Sequence, residues 1–216
     1  MEWNKFTQRV MCGNFADPGT LVLLVGKSGC GKTTLEKYMV DELGFKSVKS
    51  YTTRPKRTEN EDTHLFVSEE EFEALENKVG YTKFNGYQYC ATKEQLDKST
   101  VYIIDPAGVE YLLEHYTDRN LFIVYLDASK ETCYKRMVVR GDDEEAIKAR
   151  EANDEEEFKD FAQNADIVIN VDRSFDEIVN GFINIYRIVR FNNYLNTLEK
   201  EYVELKQWKE SNQRLP

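Results

Sequence analysis

Gly26-Lys27-Ser28-Gly29-Cys30-Gly31-Lys32-Thr33 fits the pattern Gly-x-x-x-x-Gly-Lys-Ser/Thr, and Thr34 adds one more hydroxyl. Glycines in such a loop let backbone N–H groups turn inward as a nest for phosphate oxygens, and the N-terminus of a following helix adds its partial positive charge. Lys32 supplies a mobile cation between β- and γ-phosphates, and the Thr33 hydroxyl suits the coordination sphere of Mg²⁺. The donor-binding set read from the motif is therefore Gly26, Ser28, Gly29, Cys30, Gly31, Lys32, Thr33 and Thr34, with Thr33 the metal-side residue. Alone the motif reaches only nucleoside triphosphate binding, because GTPases, ATPases, kinases and motors share it.

A second cationic cluster follows in Ser50-Tyr51-Thr52-Thr53-Arg54-Pro55-Lys56-Arg57. Arg54 and Arg57, three apart, can converge on one phosphate monoester, each offering a planar fork of donors. The bland alternative is a solvated basic loop. No thiol or metal chemistry competes: Cys12, Cys30, Cys90 and Cys133 form no Cys-x-x-Cys pair, and His64 with His115 cannot complete a zinc site of recognisable spacing.

The elements that must hold these groups read as an α/β fold. Thr20–Val25 is an apolar run with β-branched members, as in a strand buried on both faces of a parallel sheet. The spacing predicts a helix from Thr33 to about Leu43, stopped by Gly44. Three further buried-strand runs are 101–104, ended by Asp105-Pro106, 121–126, ended by Asp127, and 167–169, ended by Asn170. Ligands of such sheets gather beyond the strands' carboxyl ends, so the residues just after each run are site candidates. Residues 50–100, rich in short aromatic pieces around the polar segment SEEEFEALEN, read as a small inserted subdomain between core segments 19–49 and 101–190. The charged, glycine-broken stretch of about 136–150 reads as a mobile flap. The tail 191–216 reads as a helical extension in which Leu195, Leu198, Tyr202, Leu205 and Trp208 form one apolar face, docked on the core or on a second copy of the chain.

A net charge of −10 over 216 residues argues against nonspecific affinity for nucleic acid or anionic membrane, so any polyanionic ligand must meet a local cation cluster. No apolar stretch approaches the roughly 18 residues of a spanning helix, and the opening MEWNKFTQRV lacks a signal-peptide core, which makes the cytoplasm the expected compartment.

From the second cluster onward the sequence resembles the guanylate kinase family. SYTTRPKR, the acidic ENED, Phe66-Val67-Ser68 and Gly86-Tyr87-Gln88-Tyr89 follow the phosphate loop in the family's order, and IIDPAG, KRMVVRG and VIN continue it over about residues 20–190. The resemblance implies a P-loop kinase with a parallel sheet flanked by helices, an inserted monophosphate-binding subdomain and a lid. It also implies ATP as donor, Mg²⁺ as its partner ion and a nucleoside monophosphate, GMP or dGMP first, as acceptor. Carried over by residue, it places Arg54, Arg57 and Tyr89 on the acceptor phosphate, Ser50 and Asp105 on the base, and Asn170 near the donor adenine. Arg136, Arg140 and Arg150 become the lid cations that join Lys32 in the transfer, and Asp105 gains an outer role toward Mg²⁺.

Three positions depart from that pattern. His64 stands where the family has a phosphate-binding tyrosine, Gly80 where it has a base-reading glutamate, and Ala91 where a hydroxyl is expected, with Thr92 adjacent as its substitute. Base discrimination rests on such polar contacts, so it is expected to be weaker than in a typical member. Two rival readings are a catalytically dead binding module, which is expected to lose the loop lysine or lid arginines retained here, and a GTPase, whose Asn-Lys-x-Asp element is missing from this sequence.

Overall fold

The computed structural model describes residues 16–56, 59–84 and 86–212, so Arg57 and Cys12 lie outside the described residues. The first strand, β1 (Thr20–Val25), buries all six side chains, as its uninterrupted apolar run predicts. Helix α1 (Lys32–Leu43) follows the glycine loop and ends at Gly44, whose left-handed backbone donates to the Met39 carbonyl. Strands β2 (Tyr51–Thr52) and β3 (Leu65–Phe66), helix α2 (Glu69–Glu73), strands β4 (Lys78–Phe84) and β5 (Tyr87–Thr92) and helix α3 (Lys93–Lys98) make up the inserted region. The chain then returns through β6 (Val101–Ile103), α4 (Pro106–His115), β7 (Asn120–Asp127), α5 (Lys130–Arg140), α6 (Glu144–Glu157), β8 (Ile167–Asn170) and α7 (Phe175–Asn212).

The main sheet is parallel throughout, in the order β6-β1-β7-β8. Its register sets Leu24 beside both Ile103 and Val124, and Asp127 beside Asn170. All four strands therefore release their chains at one edge, where the glycine loop, Asp105 and Asn170 emerge together. The core beneath that edge includes Leu21, Leu23, Tyr102, Ile123 and Tyr125 with Phe158 and Phe161 from the chain after β7. Burial of this apolar set is the main favourable term in holding the edge in place.

The second sheet runs β3-β2-β5-β4, with β2 and β3 parallel and the other pairs antiparallel. Pairing of β4 with β5 shifts register between Val79 and Thr82, and a one-residue shift redirects side chains to the opposite face. The helices α2 and α3 each start with a reciprocal capping box, Ser68 with Glu71 and Thr92 with Gln95.

The stretch read as a mobile flap is built of two capped helices. Ser129 and Asp143 accept amide hydrogen bonds at the starts of α5 and α6, and Gly141 in the left-handed region separates the two helices. Buried Cys133, Met137, Ile147 and Asp154 seat the two helices, a one-sided pattern that the charged composition conceals. The chain divides into two compact units after Phe175, earlier than the boundary expected near residue 190. The described part of the second unit is the remainder of α7. Among the described residues no helix is long and apolar enough to cross a membrane.

Candidate active site

The glycine loop is shaped by what surrounds it. Gly29 has φ +79°, and a Cβ there would lie 2.6 Å from the Cys133 carbonyl oxygen, so α5 packs directly onto the loop and admits no side chain. Lys32 folds back to donate to the carbonyls of Gly26 and Lys27, the latter at 3.0 Å. Arg136 of α5 donates from Nη1 to the Cys30 carbonyl at 2.8 Å and from Nη2 to the Val171 carbonyl at 3.2 Å. One predicted lid arginine thus already sits against the loop.

The loop also holds an anion. The Ser28 backbone N–H donates to Oδ2 of Asp154 at 2.7 Å, across 126 residues of sequence, and Asp154 is 5 % exposed. A carboxylate oxygen is thereby bound by a main-chain donor of the nest that the motif provides for phosphate. Burial raises the Asp154 pKa, while the Ser28 N–H and the cations Lys32 and Lys27 pull it back. Glu157, one turn further along α6, is pushed up to about 7, first by desolvation and then by the charges of Asp105, Asp154 and Glu156. Asp105, which ends the β6 segment, is also raised by burial; the Gly108 N–H, Thr82 and Lys32 oppose the shift.

A cleft of about 190 Å³ connects this loop to the inserted subdomain, with Lys32 and Ser28 on one side and Ser50, Arg54, His64 and Tyr89 on the other. Arg54 is 8 % exposed. Its Nη2 donates to Glu61 Oε1 at 2.6 Å, its Nη1 donates to Glu61 Oε2 and the Pro55 carbonyl, and the guanidinium lies 5.2 Å from the Phe66 ring centroid. Its Nε is buried without a hydrogen-bond partner, in a residue that forms part of the cleft wall. Ser50 and His64 share a hydrogen bond of 2.9 Å, and the His64 ring meets the Tyr89 ring edge-on at 5.7 Å.

Opposite them, Thr82 donates to Asp105 Oδ2 at 2.8 Å, and Asp105 Oδ1 accepts from the Gly108 N–H as the N-cap of α4. The register shift in β4 is what turns Thr82 inward. Gly80 has φ +60°, and a Cβ there would stand 3.4 Å from Ile104 Cδ1 and 3.7 Å from Tyr102 Cε1. The buried Tyr102 and Ile104 side chains thus occupy the space beside the residue that lacks a carboxylate.

Most of the predicted residues meet at this edge, but not all reach the cleft. Gly26, Ser28, Lys32, Ser50, Arg54, His64, Tyr89 and Asp105 line it. Thr92, expected to replace the missing hydroxyl, instead uses its side chain to cap α3, accepting from the Gln95 N–H. Arg140 and Arg150 converge on Asp142, the latter at 2.6 Å. Asn170 accepts from the Asp172 N–H. Thr82, Tyr102, Asp154, Glu157 and Phe158 line the cleft without having been singled out. Asp154 and Glu157 belong to the acidic run DEEE, which reads locally as a solvated helix face, and Thr82 is aimed by an irregularity that no spacing reveals.

The AAA domain family matches residues 22–160. The guanylate kinase of Helicobacter pylori (strain ATCC 700392 / 26695) is 30% identical over 166 residues, covering 70% of this chain and 80% of that protein. That of Onion yellows phytoplasma (strain OY-M) is 29% identical over 205 residues, covering 84% and 94%. Among solved structures, guanylate kinase from Anaplasma phagocytophilum superposes with a TM-score of 0.53 at 18% identity, over 81% of this chain and 88% of that one, a likeness of fold.

Proposed function

The chain belongs to the guanylate kinase family, and from that premise we propose that it transfers the γ-phosphoryl group of ATP to a nucleoside monophosphate, GMP or dGMP foremost. The observation that carries this reading is the single cleft with the phosphate loop and Lys32 at one wall and the buried, incompletely paired Arg54 at the other. Two phosphate-binding surfaces facing one another suit transfer between two phosphorylated ligands better than hydrolysis of one.

Each side does a separate task. The loop amides and Lys32 hold the donor phosphates, and the anion already bound at Ser28 N–H supports the fit of that loop to a phosphate oxygen. Thr33 would hold Mg²⁺, which when bound neutralises charge on the transferring oxygens. Arg54 grips the acceptor phosphate, with Tyr89 and His64 beside it and Arg57 contributing from outside the described residues. An acceptor oxygen, already ionised at neutral pH, attacks the γ-phosphorus as the bond to the β,γ-bridging oxygen breaks and ADP leaves, so no general base is required. Arg136 stands at the loop to stabilise charge in transit; Arg140 and Arg150 join it after leaving Asp142, a rearrangement of α5 and α6 that also excludes water.

Asp105 and Ser50 read the base, and Asp105 favours a ring carrying N–H donors. Thr82 holds that carboxylate in place. With no carboxylate at Gly80 and no hydroxyl at Ala91, discrimination against competing bases narrows, by about five- to tenfold for each missing contact of roughly 1–1.4 kcal/mol. The retained Lys32 and Arg136 weigh against an inert binding module. The acidic surface fits the cytoplasm and gives no footing to nucleic acid or membrane. Turnover of ATP with a panel of GMP, dGMP, AMP, dTMP and CMP tests the assignment: GMP and dGMP should give the highest kcat/KM. Absence of turnover with every acceptor would overturn the kinase reading, and a different preferred base would overturn the guanylate one.

A further inference from the structure

The second unit carries two apolar series on one helix. Ile178, Val179, Phe182 and Tyr186 of α7 are buried, with the Phe182 and Tyr186 rings stacked at 5.4 Å. Beyond them Ile188, Phe191, Leu195, Leu198, Tyr202 and Leu205 are each between 41 % and 68 % exposed. At 3.6 residues per turn, the second series lies roughly 180° around the helix from the first. It is therefore no continuation of the buried face of the helix.

The spacing of the outward series is 3, 4, 3, 4 and 3 residues, a period of 3.5. That period keeps one seam facing one partner helix through a left-handed supercoil. Upstream, the same seam positions are Gly181 and Asn184, so the apolar seam begins at Ile188. With Ile188, Leu195 and Tyr202 at a and Phe191, Leu198 and Leu205 at d of the heptad, leucine fills two of the three d positions, as suits a two-stranded coil.

We propose that residues 188–205 are a homodimerisation seam that pairs with the same segment of a second copy as a short parallel coiled coil. Charge selects both partner and direction. In the parallel register Glu201 at g faces Lys206 at e of the other copy, an opposite pair at each side of the seam. The antiparallel alignment sets Glu201 against Tyr194 and Glu199 against Asn192, with no opposite pair. Although the chain carries −10 overall, residues 188–208 hold three cations (Arg190, Lys200, Lys206) against three anions (Glu199, Glu201, Glu204). Two acidic copies thus meet where their charge is balanced. The apolar seam is only about 27 Å long, so association is weak and concentration-dependent, in the micromolar range of about 1–100 µM.

Sedimentation velocity of the full chain over about 1–200 µM tests this, beside far-UV circular dichroism and kinase turnover. Wild type should move from monomer to dimer, and Leu195→Glu with Leu198→Glu should remain monomeric with unchanged helicity and kcat/KM. Glu201→Lys should weaken the dimer by about tenfold, and adding Lys206→Glu should restore it. A wild type monomeric throughout, or a dimer that survives the double leucine variant, overturns the seam. Equal dimerisation of Glu201→Lys and wild type, or failure of the reversed pair to recover, overturns the parallel pairing even if the leucine variant misfolds.

Discussion

The donor loop and the acceptor wall face the same cleft, yet they are built on different principles. The loop is eight consecutive residues whose ligands are main-chain N–H groups, so its anion-binding capacity follows from local glycine geometry and the helix behind it. The acceptor wall gathers Ser50, Arg54, His64, Thr82, Tyr89 and Asp105 from separate strands and turns, and each contributes a side chain. A backbone site tolerates sequence change around it, whereas a side-chain site changes its specificity when one residue does. Chemistry is thereby kept on one side and selectivity on the other.

The sharpest way to break that division is at Lys32, the side chain on which the donor loop most depends. Lys32→Ala should lower kcat by about 10²–10³-fold, with melting temperature nearly unchanged because its present partners are loop carbonyls. Near-wild-type turnover would show that the backbone nest suffices for transfer. Arg54 is the acceptor counterpart. Loss of charge-assisted hydrogen bonds of roughly 1.5–3 kcal/mol should raise KM for the monophosphate about 10–100-fold and leave KM for ATP alone. Arg54→Ala also removes the guanidinium paired with Glu61, whose side chain is 11% exposed and which keeps the Thr63 hydroxyl as a donor, so the variant should lose about 1.5–3 kcal/mol of stability. Arg54→Ala with Glu61→Gln should recover much of that stability and none of the KM. A selective ATP defect in the double variant would dissolve the distinction between the two walls.

The same contrast explains what the sequence made legible. The four buried-strand runs and the loop motif are local, and the parallel sheet with its loop, Asp105 and Asn170 at one edge follows from them. Arg54 and Ser50 were legible through a contiguous cluster. Thr82 was not, because a register shift aims it, and Asp154 was not, because its partner lies 126 residues away. Thr92 misled for the opposite reason: its hydroxyl has a local duty as a helix cap that outranks the distant one. The two helices of the flap were not legible because charged composition signals solvation and says nothing of regular structure, whereas the caps at Ser129 and Asp143 start both of them.

The smallest effects should come from the acidic edge between the two walls. Asp154 occupies a loop amide that the donor phosphates need, so Asp154→Ala should tighten binding of a non-hydrolysable ATP analogue, by up to about tenfold for one net hydrogen bond. Glu157 adds a pH dependence. Its pKa of about 7 comes from partial desolvation at the cleft and from Asp105, Asp154 and Glu156, while Lys32 and Lys27 act on its neighbours. ATP brings further negative charge to this edge and so favours the protonated carboxyl; affinity should fall as pH rises through 7. Solvent screening at this exposed residue limits the change to roughly two- to threefold between pH 6 and 8. ATP titrates in the same range, so the readable quantity is the difference between wild type and Glu157→Gln, in which ATP's own titration cancels. Stability carries the same sign. A carboxyl raised on folding binds its proton more tightly in the native state, so the native chain loses stability as pH climbs from the ordinary glutamate range toward 7, and Glu157→Gln should flatten that slope. Identical pH profiles for wild type and Glu157→Gln, in both calorimetric binding and thermal melting, would remove Glu157 from the electrostatics of the donor loop and leave the competition there to Asp154.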